Sequence, residues 1–232
     1  MIYTSTFADV MRGMDWSVLT NMILRAVPAL ICITLHEISH GYVAYWLGDN
    51  TAKRMGRLSL NPIKHIDILG LIMMIGVGFG WAKAVPINMR KFKNPKRGMA
   101  LTALAGPVAN IIISVVFLFI LGLTYAPLLK SGTEFSVAIM RTIYVTAYLS
   151  TALAVFNLLP IPPLDGSKVL FSLMSDESYY KLMKYERYGM ILLMVLLFSK
   201  VLGNPLNTAT DFVFGILSNA ADWGFALSKL IM

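Results

Sequence analysis

The sequence predicts an all-α polytopic membrane protein, a bundle of about five to six membrane helices. Three observations predict it. Of the 232 residues, 57% are hydrophobic, above the ~45–50% of an ordinary soluble domain. Only 14% are charged and the mean hydropathy is +0.68, so too little charge remains to coat a soluble globule. Long apolar runs alternate with connectors that collect Lys and Arg. This composition excludes a disordered chain and a coiled coil. The single cysteine, Cys32, excludes an internal disulfide. The net charge of +8 reports basic connectors rather than a nucleic-acid partner. One membrane-embedded domain over 1–232 is expected, with its core at about 30–175 and C-terminal membrane segments at about 188–231. There is no room for a sizeable appended soluble domain.

The first apolar run extends from Trp16 to Leu47, and Gly48, Asp49 and Asn50 end it. At ~1.5 Å per residue it exceeds the ~30 Å hydrocarbon core, so it is a tilted helix or one whose last turns leave the bilayer. Residues 51–65 are a basic connector. Residues 66–79 are apolar, but at about fourteen residues they are short for a span, and Gly70, Gly76 and Gly78 interrupt them. That pattern suits a re-entrant segment. Residues 81–97 are basic again. Residues 98–129 and 136–159 read as two long helices, joined by a link poor in basic residues. Residues 160–187 hold several prolines and then four basic residues. Residues 188–202 make a further span, and 206–231 a weaker one broken by Asp211 and Asp222. The three basic connectors contain four, six and four basic residues, 14 of the 20 Lys and Arg. The positive-inside rule therefore places them in the cytoplasm, with the first helix running inward.

The first helix carries His36-Glu37-Ile38-Ser39-His40, an H-E-x-x-H pattern. Residues four apart share a helix face, so both imidazoles can point at one metal ion, and Glu37 beside them can take a proton from an attacking water. Zn²⁺ suits the pattern because it binds imidazole tetrahedrally and lowers the pKa of bound water to about 7. Two His and a Glu inside a membrane are expensive without a partner, which a metal supplies. A catalytic zinc needs a third protein ligand. Val43 and Trp46 stand where an extended zincin motif would have a Gly and a His. His65 lies in a basic connector. The better candidate is Asp165, in Asn157-Leu-Leu-Pro-Ile-Pro-Pro-Leu-Asp165-Gly166. Its prolines unwind the end of the third helix and let it fold back beside the first.

With these two motifs the sequence resembles the site-2 protease family of intramembrane zinc metalloproteases, in a compact form without a PDZ or CBS domain. Residues 105–110, Ala-Gly-Pro-Val-Ala-Asn, resemble the G-x-x-x-N feature of the family's central helix. Residues 79–88 resemble the membrane-associated β-hairpin near its active site, although many relatives have Pro where Ala84 stands. The resemblance covers roughly residues 30–175. It implies one zinc per chain bound by His36, His40 and Asp165, with Glu37 as general base. It implies that Asn157 holds the substrate backbone or oxyanion, with Asn110 a weaker candidate for the same neighbourhood.

The implied function is hydrolysis of peptide bonds within or near transmembrane segments of membrane proteins, in regulated intramembrane proteolysis or in clearance of signal-peptide remnants. The implied setting is the cytoplasmic membrane, with the site opening to the cytoplasm. From His40 to Asp49 is about 13 Å of helix, which sets the depth of the zinc below that end. A substrate helix must unwind before water can attack, and segment 79–92 could offer an edge for strand addition. The competing reading is a zinc-binding membrane protein without protease activity, a transporter or scaffold. The chain shows no repeated halves, and all four motif positions are intact. A membrane zincin with a glutamate third ligand lacks a suitable Glu on a later helix.

Overall fold

The computed structural model describes residues 16–70, 73 and 81–231. Most of the short apolar segment at 66–79, and the first two residues of segment 79–88, lie outside them. The long first helix, α1, spans Trp16–Trp46. Gly48, at φ +106°, lies in the left-handed region and ends the run where the sequence suggests. A four-residue helix α2, Thr51–Arg54, follows. Two 3₁₀ turns, Pro62–His65 and Met89–Lys91, punctuate the basic connectors.

Helix α3 spans Pro95–Ser131. Its start is set by Asn94, whose side chain accepts from the Arg97 N–H, with Pro95 in the first turn, where its missing N–H costs nothing. Gly132, at φ +60°, caps the other end. Helix α4 spans Glu134–Asn157, capped by Thr133. Helix α5 is short, Asp165–Ser172, and α6 spans Asp176–Phe198. Helices α7, Gly203–Leu217, and α8, Asn219–Ile231, complete the fold.

The central element is α3, which packs against α1, α4, α5 and α8. Leu118, Ala147 and Ala220, from α3, α4 and α8, form a buried apolar cluster. Small residues allow the closest approach. A Cβ on Gly122 would sit 1.9 Å from the Ala221 carbonyl oxygen, and one on Gly224 would sit 2.1 Å from that of Phe119. Those are backbone atoms that cannot yield, so α3 and α8 meet only because both positions are glycine. Outward from this contact, α3 exposes Val108, Ile112 and Val116 at four-residue spacing, an apolar stripe suited to lipid.

Helices α3 and α4 are each long and apolar enough to cross a membrane. Residues Tyr188–Phe198 and Gly203–Ile231 pass the same test as a pair, but they are bent by 91°. The bend falls at the break between Phe198 and Gly203, and residues 206–231 belong to one arm of that pair. They are two helices meeting at Ser218, and their acids have local roles: Asp211 accepts from the Tyr148 hydroxyl at 2.9 Å, and Asp222 lies in the first turn of α8.

The hairpin expected at 79–88 is described only from Trp81 onward. Residues 81–88 run extended but build no β-ladder among the described residues. A single antiparallel bridge joins Ile66 to Ala82, and the Lys83 N–H donates to the His65 carbonyl at 2.9 Å. The physical reason is where the next amides go. Pro86 has none, the Val85 N–H donates to the Glu37 carboxylate at 2.8 Å, and the Asn88 N–H donates to Asp49 at 2.6 Å. Among the described residues the segment is a strap tied to α1 by carboxylates, with the one bridge to Ile66 as its strand-like pairing. At its far end, the fully buried Asp49 also takes the Thr51 N–H and hydroxyl and lies 3.3 Å from Lys91. Burial alone would raise the Asp49 carboxyl, but the Asn88 N–H, the Thr51 groups and Lys91 outweigh it and hold it below its ordinary value. This tie is therefore complete at neutral pH and is lost only as pH falls through that lowered value.

Candidate active site

Three side chains converge from two elements. His36 and His40 lie one turn apart on α1, and Asp165 opens α5. His36 Nε2 and His40 Nε2 are 3.0 Å apart, and each is 3.2 Å from Asp165 Oδ2. All three residues are buried. Asp165 reaches this point because the chain after α4 turns back sharply. A Cβ on Gly166 would sit 2.1 Å from the Leu158 carbonyl oxygen, so only glycine permits the return. Gly166 thus permits the turn that brings Asp165 to the two imidazoles.

The donor set fits zinc. Two imidazole nitrogens and one carboxylate oxygen are ordinary zinc donors, and three protein ligands leave a fourth position open. Bonds of ~2.0–2.1 Å in a tetrahedron put ligand atoms roughly 3.3 Å apart, and the observed separations are 3.0 to 3.2 Å. No other set of three His, Cys, Asp or Glu with this arrangement occurs among the described residues. His40 is also held from behind: its Nδ1 donates to the Thr102 carbonyl at 2.7 Å, which leaves the Nε2 lone pair facing His36 and Asp165.

Glu37 lies beside the cluster. One oxygen, Oε2, accepts the Val85 N–H, and the residue lines two cavities, of about 160 and about 470 Å³. The smaller cavity is lined by His36, His40 and Asp165 together with Glu37, Asn157 and Lys168. The larger runs between the strap, α4 and α6, past Trp81, Ala84, Phe156, Met190 and Leu193. An apolar cleft thus ends on a polar centre. Asn157 borders both cavities, and its Nδ2 donates to the Leu153 carbonyl at 2.9 Å.

Asn110 is fully buried behind His36, with its amide nitrogen 3.2 Å from His36 Nδ1, and it does not line these cavities. The structure thus brings together five of the six candidate residues at the smaller cavity and places the sixth behind His36. Gly106 faces the rings: a Cβ there would meet His36 Cε1 at 2.5 Å and His40 Cε1 at 2.6 Å. His65 instead closes a 3₁₀ turn and contacts the Ser59 carbonyl, and Cys32 is buried against α4. Sequence reasoning missed two contributors. Lys168 lies 3.8 Å from Asp165 Oδ1 and 3.9 Å from Glu186; its i+3 spacing from Asp165 was the available signal. The Thr102 carbonyl gave none, because any residue supplies a carbonyl.

The family model described as Peptidase family M50 matches residues 25–199. The chain belongs to this family. It is 39% identical over 204 residues to "Putative zinc metalloprotease YwhC" of Bacillus subtilis (strain 168), covering 86% of this chain and 93% of the relative. Rip2 of Mycolicibacterium smegmatis, which carries the same description, is 31% identical over 204 residues, covering 84% of this chain and 73% of the relative. "Zinc metalloprotease MJ0392" of Methanocaldococcus jannaschii is 26% identical over 167 residues, covering 71% of this chain and 39% of the relative. No solved structure matches the chain. The resemblance to the site-2 proteases noted from the motifs is thereby shown, and the matched range includes every candidate residue.

Proposed function

We propose that this chain is an intramembrane zinc metalloprotease in which His36, His40 and Asp165 hold one zinc ion and Glu37 is the general base. Its substrates are peptide bonds within or near transmembrane segments of membrane proteins. The observation that carries this reading is the convergence of three ligand atoms from α1 and α5 at the inner end of an apolar cleft. A bare zinc-binding transporter or scaffold needs neither an adjacent carboxylate nor a cleft of that shape.

Zinc bound there supplies a water acidified to a pKa near 7 and polarises a carbonyl. The protein's own groups do the rest. The Val85 N–H fixes Glu37 Oε2, which leaves Oε1 to take the proton from the attacking water and return it to the leaving amine. Asn157, at the junction of the two cavities, orients the substrate backbone. Lys168 balances the outer oxygen of Asp165.

The strap presents the substrate. In extended backbone, alternate residues face opposite edges. Lys83 and Val85 spend their amides on His65 and Glu37, so the Ala84 amide and carbonyl face the other way, beside the cleft. An unwound substrate segment can add there as a strand. The domain is read as one membrane unit with its core at 30–175. It has five to six membrane helices, sits in the cytoplasmic membrane and has its basic connectors in the cytoplasm. The site then opens to the cytoplasm about 13 Å below the end of α1.

The test is cleavage of a single-span peptide in proteoliposomes. Wild type should cut it, and Trp81→Ala should cut it about tenfold more slowly with zinc content unchanged, an effect of order 1.4 kcal/mol on the barrier. Equal rates, or zinc lost in parallel, would contradict a substrate-presenting strap.

A further inference from the structure

Helix α3 directs one face at the two imidazoles through Thr102, Gly106 and Asn110, which are four residues apart in succession and therefore aligned. Thr102 and Gly106 have clear parts. The Thr102 carbonyl accepts the His40 Nδ1–H, and Gly106 leaves room for both rings. Asn110 stands at His36 as Thr102 stands at His40, but its amide is turned the wrong way for that role. Its Nδ2 is 3.2 Å from His36 Nδ1, while its Oδ1, buried, has no hydrogen-bond partner among the described residues.

A ring nitrogen that accepts from an NH₂ group has no proton of its own. In a neutral imidazole the other nitrogen, Nε2, must then carry it. That proton would point into the space between His40 and Asp165 and occupy the lone pair a metal needs. Rotating the amide by half a turn exchanges Oδ1 and Nδ2 at no steric cost. The orphaned oxygen then receives the His36 Nδ1–H, and Nε2 is free to bind.

We infer that Asn110 is a positioning residue for the metal centre: its amide oxygen accepts from His36 Nδ1–H and holds the tautomer and ring orientation that direct Nε2 at the zinc. This rests on the zinc reading above. It moves Asn110 from the substrate side to the rear of the site, where it pairs with the Thr102 carbonyl as the second of two acceptors supplied by α3. Partners of this kind fix ligand orientation and raise ligand basicity, and their loss costs roughly 10- to 100-fold in metal affinity.

The test uses the full-length protein in detergent, titrated with Co²⁺ and with Zn²⁺ against a chelating indicator, and compares Asn110→Asp with Asn110→Leu. An ionised carboxylate can only accept. If the amide oxygen is the working atom, Asn110→Asp keeps wild-type affinity within a few-fold and keeps the tetrahedral Co²⁺ absorption bands. Asn110→Leu then loses about 10- to 100-fold in affinity and shows altered bands, with the metal-free melting temperature reporting that it is folded. Wild-type affinity and spectrum in Asn110→Leu would overturn the inference. A tenfold or greater loss in Asn110→Asp would also overturn it, whether or not the Leu variant folds, because it would assign the contact to the NH₂ group. Failure of the wild type to take up either metal would instead remove the zinc reading, and this inference with it.

Discussion

Glu37→Gln is expected to abolish measurable cleavage while one zinc per chain remains bound. The substitution is nearly isosteric. Its amide oxygen can still accept the Val85 N–H that now fixes Oε2, so the strap and α1 stay joined. The three ligand atoms, 3.0 to 3.2 Å apart, are untouched. What is lost is a group that can take a proton from water and hand it to the leaving amine, a contribution of about 10²- to 10⁴-fold. Peptide cleavage rates measured beside zinc content by atomic emission check this. Near-wild-type turnover in the variant would show that another group activates the water.

The second large effect is expected from the ligands themselves. His36→Ala, His40→Ala and Asp165→Ala should each reduce zinc from one per chain to none at micromolar free zinc, and cleavage should fall with it. The loss should exceed the roughly 10- to 100-fold expected for a supporting partner, because two ligands cannot hold zinc in a four-coordinate site. A chelator should reproduce the loss in wild type, and added zinc should reverse it. Asp165→Asn separates charge from shape: the Gly166 return against Leu158 is preserved, so melting should change little while zinc binding falls. Full zinc content in any one of these variants would remove that residue from the metal centre.

Much of this site was legible because its chemistry is local. The H-E-x-x-H pattern needs only the helical period to bring His36 and His40 together, and the prolines before Asp165 announce a broken helix end. The scarcity of charge isolates these residues from the many that face water. Asn110 shows where such reading stops. The G-x-x-x-N resemblance marked it, but which side of His36 it occupies depends on how α3 docks against α1, and no periodicity encodes that. The Thr102 carbonyl was invisible because backbone groups have no sequence identity. The strap illustrates the same limit: a strand-compatible segment was readable, but the donation of its amides to Glu37 and Asp49 is a tertiary outcome. The C-terminal bend was not legible either: apolar content and period do not show that the 188–198 and 203–231 segments meet at 91°.

Hydrolysis inside a transmembrane segment at the His36–His40–Asp165 centre is the step on which the proposed function depends. The mass of the products released from a reconstituted single-span peptide tests it most directly. Two complementary fragments that meet at a bond within the apolar span, formed by wild type and absent with Glu37→Gln, are the predicted result. An uncut peptide across a panel of single-span sequences, or fragments formed equally by the Glu37→Gln variant, would contradict it.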